Sequence, residues 1–155
     1  MSKIPESVAE FLSHKRIAVA GVSRDSRQPA NCIYRKLRDS GRQVFAVNPN
    51  ATEVEGAPCY PGLHSLPATV EAVVIVTPPE AAVNVVRECA ELGITRVWFH
   101  RSFGEGSVSE EAVEECRGRG INCLVGGCPM MYCEPVDLAH RCFKWLLQWR
   151  HRVPA

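Results

Sequence analysis

Five short apolar runs alternate along this chain with stretches whose apolar residues recur at helical spacing, and that alternation limits the fold more than any other feature. The runs are Arg16–Gly21, Gln43–Val47, Ala72–Val76, Thr95–His100 and Ile121–Val125. Ala72-Val73-Val74-Ile75-Val76 is continuous and rich in β-branched residues, as expected of a strand covered on both faces. Between the runs, Asn31–Ser40 reads as a helix with Ile33, Tyr34 and Leu37 facing inward and Gly41 as its stop. Glu80–Leu92 repeats the pattern with Ala82, Val83, Val86 and Ala90, and Gly93 follows it. A third helix opens at Ser109-Glu110-Glu111 and runs through Cys116, stopping before Gly118-Arg119-Gly120. Asn48-Pro49-Asn50 and Gly104-Glu105-Gly106 are turn signals, and the Gly- and Pro-rich stretch from Ala51 to Leu66 is loop with an edge strand near Ala57–Tyr60. Strands linked by helical crossovers of this length predict right-handed βαβ units and a parallel sheet. The expected fold is therefore a single α/β domain, a Rossmann-like doubly wound parallel sheet spanning about 15–135. An N-terminal helix (1–14, helical near Pro5–Ser13) precedes it and a C-terminal helix (136–155, helical from about Asp137 to Trp149) packs on it.

Composition narrows the function classes. A chain of 155 residues buries roughly 70% of the surface it exposes when unfolded and needs no staples. Eighteen Lys and Arg against 17 Asp and Glu, a net charge of +1, argue against a nucleic-acid binder working through bulk electrostatics. No apolar run reaches the ~20 residues that span a bilayer, and Met1-Ser2-Lys3-Ile4-Pro5-Glu6 has no apolar stretch like a signal peptide, so a cytoplasmic location is expected. Eight cysteines lie with no pair spaced C-x-x-C. Reduced, mostly buried thiols are the expectation, and the spacing of Cys116, Cys123, Cys128 and Cys133 matches no metal site.

In an open α/β sheet, ligands bind outside the carboxyl ends of the strands, where strand order reverses. That rule selects the loops that follow the runs. The first, Gly21-Val22-Ser23-Arg24-Asp25-Ser26-Arg27-Gln28-Pro29, offers backbone amides ahead of a helix, a place suited to phosphate. It lacks the G-x-G-x-x-G fingerprint: Ser23 stands where the second glycine is expected, and Arg24 or Arg27 supplies charge instead. The bland alternative is a solvated loop. After the second strand come Asn48 and Pro49 where a nicotinamide site carries a carboxylate for the ribose, with Glu53 and Glu55 only further on, which counts against NAD. Thr77, Pro78 and Pro79 form either a rigid, donor-poor wall against a flat ligand or simply the opening of the next helix. Trp98, Phe99, His100, Arg101 and Phe103 cluster after the fourth run, where His100 either meets an anion or is an inert rim residue.

Cys128, between Gly127 and Pro129, is either a ligand-facing thiol or a packing residue. Glu110, Glu111, Glu114 and Glu115 read as a solvated helix face. No nucleophile elbow, phosphate loop of the G-x-x-x-x-G-K-[ST] type or H-E-x-x-H pair is present. The last helix carries Leu138, Cys142, Trp145, Leu146 and Trp149 on one wide stripe, which is either core or a contact with a second copy.

Taken together, six stretches are familiar: Ile17–Arg24, Val47-Asn48-Pro49-Asn50, Gly56–Pro61, Val76-Thr77-Pro78-Pro79, Val97–Arg101 and Cys128-Pro129-Met130-Met131. In this order they resemble the small stand-alone CoA-binding proteins, whose domain is similar to the CoA-binding domain of the succinyl-CoA synthetase alpha subunit. The resemblance implies a Rossmann-like fold holding coenzyme A, its diphosphate against Gly21–Arg24 and its adenosine part near Asn48–Pro49 and Thr77–Pro79. It does not carry ligase activity over, because the synthetase's phosphorylated histidine lies outside this domain. The expectation is a CoA or acyl-CoA binding protein with no evident catalytic set. The alternatives are an NAD(P)-binding oxidoreductase and a thiol redox protein using Cys128 with Cys133.

Overall fold

A computed structural model describes residues 4–101 and 106–154. Phe103, Gly104 and Glu105, together with the turn expected at 104–106 except for Gly106, lie outside the described residues. In chain order the elements are α1 (Glu6–Ser13), β1 (Arg16–Ala20), α2 (Pro29–Asp39), β2 (Gln43–Val47), β3 (Glu53–Val54) and β4 (Ala57–Tyr60), then β5 (Ala72–Ile75) and α3 (Pro79–Glu91). They continue with β6 (Arg96–Phe99), α4 (Glu110–Gly118), β7 (Asn122–Val125) and α5 (Leu138–Trp149). The strands form one sheet ordered β3-β4-β2-β1-β5-β6-β7, parallel throughout except for the β3–β4 hairpin.

This order is that of a doubly wound sheet. From β1 the chain moves outward through α2 to β2, and from β5 it moves the opposite way through α3 to β6. The reversal falls between β1 and β5, whose registers pair Ile17 with Ala72 and Ala20 with Ile75.

The two-residue period of the strands sorts the core into two layers. Ile17, Val19, Ala72, Val74 and Trp98 face α1 and α2, joining Val8, Phe11, Ala30, Ile33, Tyr34 and Leu37. Ala18, Ala20, Val73, Ile75, Val97 and Phe99 face α3 and α4, joining Ala82, Val86, Cys89, Ala112 and Cys116. Trp98 and Phe99 are therefore core residues of opposite layers and do not form a site cluster. The Trp98 ring meets Phe11 edge to face at 5.4 Å, and its indole N–H donates to the Gly126 carbonyl at 2.8 Å. Full burial of such a ring contributes on the order of 2–3 kcal/mol, which ties α1 to the sheet.

All eight cysteines are free thiols, and five of them are buried. The stripe on α5 departs from the core alternative. Only Leu147 is buried on that helix, while Leu138, Trp145 and Trp149 are 76%, 71% and 72% exposed. No helix among the described residues is long and apolar enough to cross a membrane.

Candidate functional site

The crevice at the carboxyl ends of β1, β2 and β5 begins with Gly21. Its φ is +101°, and a Cβ there would stand 2.6 Å from the Val76 carbonyl oxygen and 3.1 Å from the Thr77 nitrogen. Only glycine combines that backbone conformation with so close an approach of two strand ends. The first loop and the Thr77–Pro79 turn thus touch directly.

Beyond Gly21 the loop is held by side chains from three directions. Asn31, on the first turn of α2 and almost wholly buried, accepts from the Ser23 amide at 2.9 Å and donates to the Ser23 carbonyl at 2.7 Å. Asn48 donates to the Val22 carbonyl at 2.9 Å from the end of β2. Asp25 takes both the backbone and the guanidinium of Arg27, at 3.1 and 3.0 Å, and the Asp25 amide donates to the Ser23 hydroxyl oxygen. The hydrogen bonds from Arg27 hold the Asp25 carboxyl below its ordinary range. Gly21 N–H is used by the Val47 carbonyl and Gln28 N–H by that of Asp25.

What remains is specific. Among the described residues, the exposed Arg24 and Ser26 amides meet no protein acceptor, nor does the exposed Arg24 guanidinium meet a partner. The Ser23 hydroxyl, already accepting, keeps its own hydrogen to donate. The turn can offer two amides, a hydroxyl and one guanidinium to an anion without breaking a bond of its own. Arg24 and Arg27, equivalent in the sequence, are thereby separated: Arg27 is neutralised by Asp25.

Glu55 bears on the question of a ribose carboxylate. It sits at the tip of the β3–β4 hairpin and accepts from Asn31 Nδ2 at 2.8 Å and Arg35 Nη1 at 2.7 Å. The Asn31 amide and the Arg35 guanidinium hold its carboxyl below the usual range. Its charge is spent within the protein, as part of the brace behind the first loop. Asn48 is likewise turned to the loop: besides Val22, it receives the Asn50 amide on Oδ1 at 2.8 Å. Pro49 beside it is exposed.

Thr77 donates its hydroxyl to the Pro78 carbonyl at 3.1 Å, and Pro79 is the first helical residue of α3. The two alternatives for this turn coincide, since the prolines both open the helix and leave a donor-poor wall. His100 lies one strand further on, its amide bonded to the Ile75 carbonyl at 3.0 Å. It is 8% exposed, and burial, with His140 nearby, pushes its imidazole down to about 4, so at neutral pH it carries no charge for an anion. Cys128 lies in the α1–α2 core layer, where burial pushes its thiol up to about 12; Cys133 is buried as well and shifted in the same direction. The structure thus brings Gly21–Arg24, Asn48 and Thr77–Pro79 to one crevice and sets His100 on its flank, with Cys128 inside the core. Asn31, Arg35 and Glu55 were missed in the sequence; a polar side chain at the first inward position of a helix was the available signal.

The family described as "CoA binding domain" matches residues 15–134. The chain belongs to that family. Acetate–CoA ligase [ADP-forming] I of Archaeoglobus fulgidus is 31% identical over 121 residues, which cover 71% of this chain and 18% of the ligase. The alpha subunit of acetate–CoA ligase [ADP-forming] II of Pyrococcus furiosus is 29% identical over 106 residues, 68% of this chain and 23% of the subunit. The chain therefore spans less than a quarter of the length of these ligases. Among solved structures, a hypothetical protein from Pyrococcus horikoshii superposes with a TM-score of 0.76 at 26% identity, over 88% of this chain and 98% of that one. The dinucleotide-forming acetyl-coenzyme A synthetase 1 of Candidatus Korarchaeum cryptofilum, in complex with phosphate and ADP, superposes with a TM-score of 0.61 at 29% identity, over 71% of this chain and 25% of that one.

Proposed function

We propose that this CoA-binding domain holds coenzyme A or a CoA thioester across the β1–β5 crevice, in the cytosol. The diphosphate lies against the Gly21–Ser26 turn, met by the Arg24 and Ser26 amides, the Ser23 hydroxyl and the Arg24 guanidinium. The adenosine part extends toward Pro49 and the Thr77–Pro79 wall, with Asn48 positioning the first loop. His100, buried and uncharged, borders the route of the pantetheine arm, while Cys128 stays in the core layer behind it.

The observation that carries this reading is the half-satisfied first turn: it is braced by Asn31, Asn48 and Asp25, yet keeps an outward set of donors with an unpaired arginine. The exposed amides are met by water in the free protein, and the bracing keeps them turned outward together, so an anion can replace that water with little reordering of the turn. The spent Glu55 carboxylate supports CoA over a nicotinamide dinucleotide, whose ribose hydroxyls need a carboxylate acceptor. Free thiols at all eight cysteines fit a reducing compartment. The proposal is binding alone; this chain matches less than a quarter of each ligase's length.

Calorimetric titration with CoA, acetyl-CoA, NAD and NADP tests it. Saturable binding of CoA is expected, weakened about tenfold by Arg24→Ala and less than about twofold by Arg27→Ala, since a hydrogen bond to a charged group contributes roughly 1.5 kcal/mol. Binding of NAD with no response to CoA, or equal losses at the two arginines, overturns the reading.

A further inference from the structure

We propose that two copies of this chain pair through α5, helix against helix, antiparallel and in one register. Leu138, Cys142, Trp145 and Trp149 are separated by four, three and four residues, which aligns them in a narrow line along one side of the helix. All four are exposed, and the helix is anchored by Leu147, half a turn around from that line. An apolar seam at this spacing, directed away from its own core, is the surface one helix offers another.

The seam's size fits a second copy. The exposed parts of Leu138, Cys142, Trp145 and Trp149 amount to roughly 500 Å² of apolar surface. Pairing two such faces removes about 1,000 Å² from water, the lower bound for a specific interface. A contiguous patch of this size is in the upper range of what single soluble chains expose, and such patches often mark a contact surface.

Charge decides the orientation. Before the helix stand exposed Glu134 and Asp137; after it stand exposed Arg150 and His151. In a parallel pair, acid meets acid and base meets base. In an antiparallel pair, each acidic end meets the partner's basic end, and the two helix dipoles oppose. One register satisfies everything together: when Cys142 faces the second copy's Trp145, Leu138 faces its Trp149 and Asp137 faces its Arg150. The two-fold axis then passes between Phe143 and Lys144. A seam complementary to itself under a two-fold rotation selects the same chain as its partner.

Sedimentation equilibrium from about 1 to 200 µM tests this, because a pair of this area is expected to dissociate in the micromolar range. A monomer–dimer equilibrium is expected. Trp145→Glu with Trp149→Glu should leave a monomer at every concentration, with helical circular dichroism retained. Arg150→Glu places like charges against Asp137 and should raise the dissociation constant about tenfold. Adding Asp137→Asn, which keeps the helix cap, should recover most of that loss. A wild-type chain that stays monomeric throughout, or a dimer indifferent to the tryptophan changes, overturns the proposal. So does a monomer that co-sediments with vesicles of phosphatidylglycerol and phosphatidylcholine, which assigns the face to a lipid surface instead.

Discussion

The two turns that meet at Gly21 and Val76 reach rigidity by opposite routes. The β1–α2 turn is fastened by side chains: Asn31 closes a ring with the Ser23 amide and carbonyl, Asn48 holds Val22, and Asp25 folds back on Arg27. Among the described residues the β5–α3 turn has no such clamp; Pro78 and Pro79 fix their own φ angles covalently, and the Thr77 hydroxyl bonds to the neighbouring Pro78 carbonyl. A turn that must show amides to a ligand has to keep them, so its conformation is set by hydrogen bonds to the rest. The Pro78–Pro79 step needs no bracing, because neither proline has an N–H to offer and each fixes its own φ. In the proposed complex the first turn grips charge, and the second provides only shape.

The hardest blow to this arrangement is Gly21→Ala, which acts on both turns. The new Cβ meets the Val76 carbonyl at 2.6 Å in a backbone conformation that L-residues rarely adopt. A cost of about 4 kcal/mol is expected, from a left-handed strain of 1–3 kcal/mol plus the clash. Urea denaturation should show it, with CoA binding lost in whatever fraction stays folded. A loss below about 1 kcal/mol would mean that the strand ends separate easily and that the turns are not one unit.

The third strand end sharpens the contrast, because His100 is buried and uncharged beside the crevice. Its imidazole titrates near 4 in the folded chain and near 6.5 when unfolded. Above 6.5 it is neutral in both states and contributes nothing to the pH dependence. As the pH falls from 6.5 through 4, the unfolded chain takes up a proton that the folded chain refuses, so stability declines. The full loss is about 3 kcal/mol. Unfolding midpoints at pH 7 and 4.5 should differ accordingly, and His100→Asn should flatten that slope. An unchanged slope in the variant would place the acid sensitivity elsewhere.

Asn31→Ala comes next, at about 2 kcal/mol, since it leaves the Ser23 amide and carbonyl and the Glu55 carboxylate each short of a partner. The comparison predicts more than lost stability. CoA affinity should fall several-fold even where the protein is fully folded, because the outward donors of the first turn lose their brace. Undiminished affinity would show that the turn is held well enough without the clamp. The corresponding β5–α3 turn has no side chain whose removal could do this.

The fold was largely legible because its signals are local and repeated. The runs at 43–47 and 57–60 match β2 and β4 end to end, and the other strands and helices differ from expectation by a residue or two. Pro29 and Pro79 shifted two helix starts earlier, since proline fits the first helical position. The β3 strand was not foreseen; two residues are too short for any period to show. The crevice followed from the strand order, but its working parts did not. Nothing in the spacing separates Arg24 from Arg27, because the difference is whether Asp25 folds back. Asn31 and Glu55 meet across 24 residues of chain, a contact made only when the hairpin is folded over α2. The α5 stripe shows the same limit in reverse: its periodicity was plain, but which way it faced depended on Leu147 being the residue that docks.

Pro79→Ala should be the mildest change, and it tests the donor-poor wall most directly. The substitution adds one N–H at the start of α3, where an intrahelical partner is lacking anyway. Stability should drop by about 0.4–1 kcal/mol, from the greater freedom of the unfolded chain. If the wall contributes shape alone, CoA affinity should stay within about twofold, because the ring's contact with a flat ligand is small and alanine keeps part of it. If affinity instead rises several-fold, the added amide has found a phosphate, and the diphosphate then lies over α3 rather than over α2. That outcome would exchange the roles of the two turns while leaving CoA as the ligand, which separates it from every result that would remove CoA altogether.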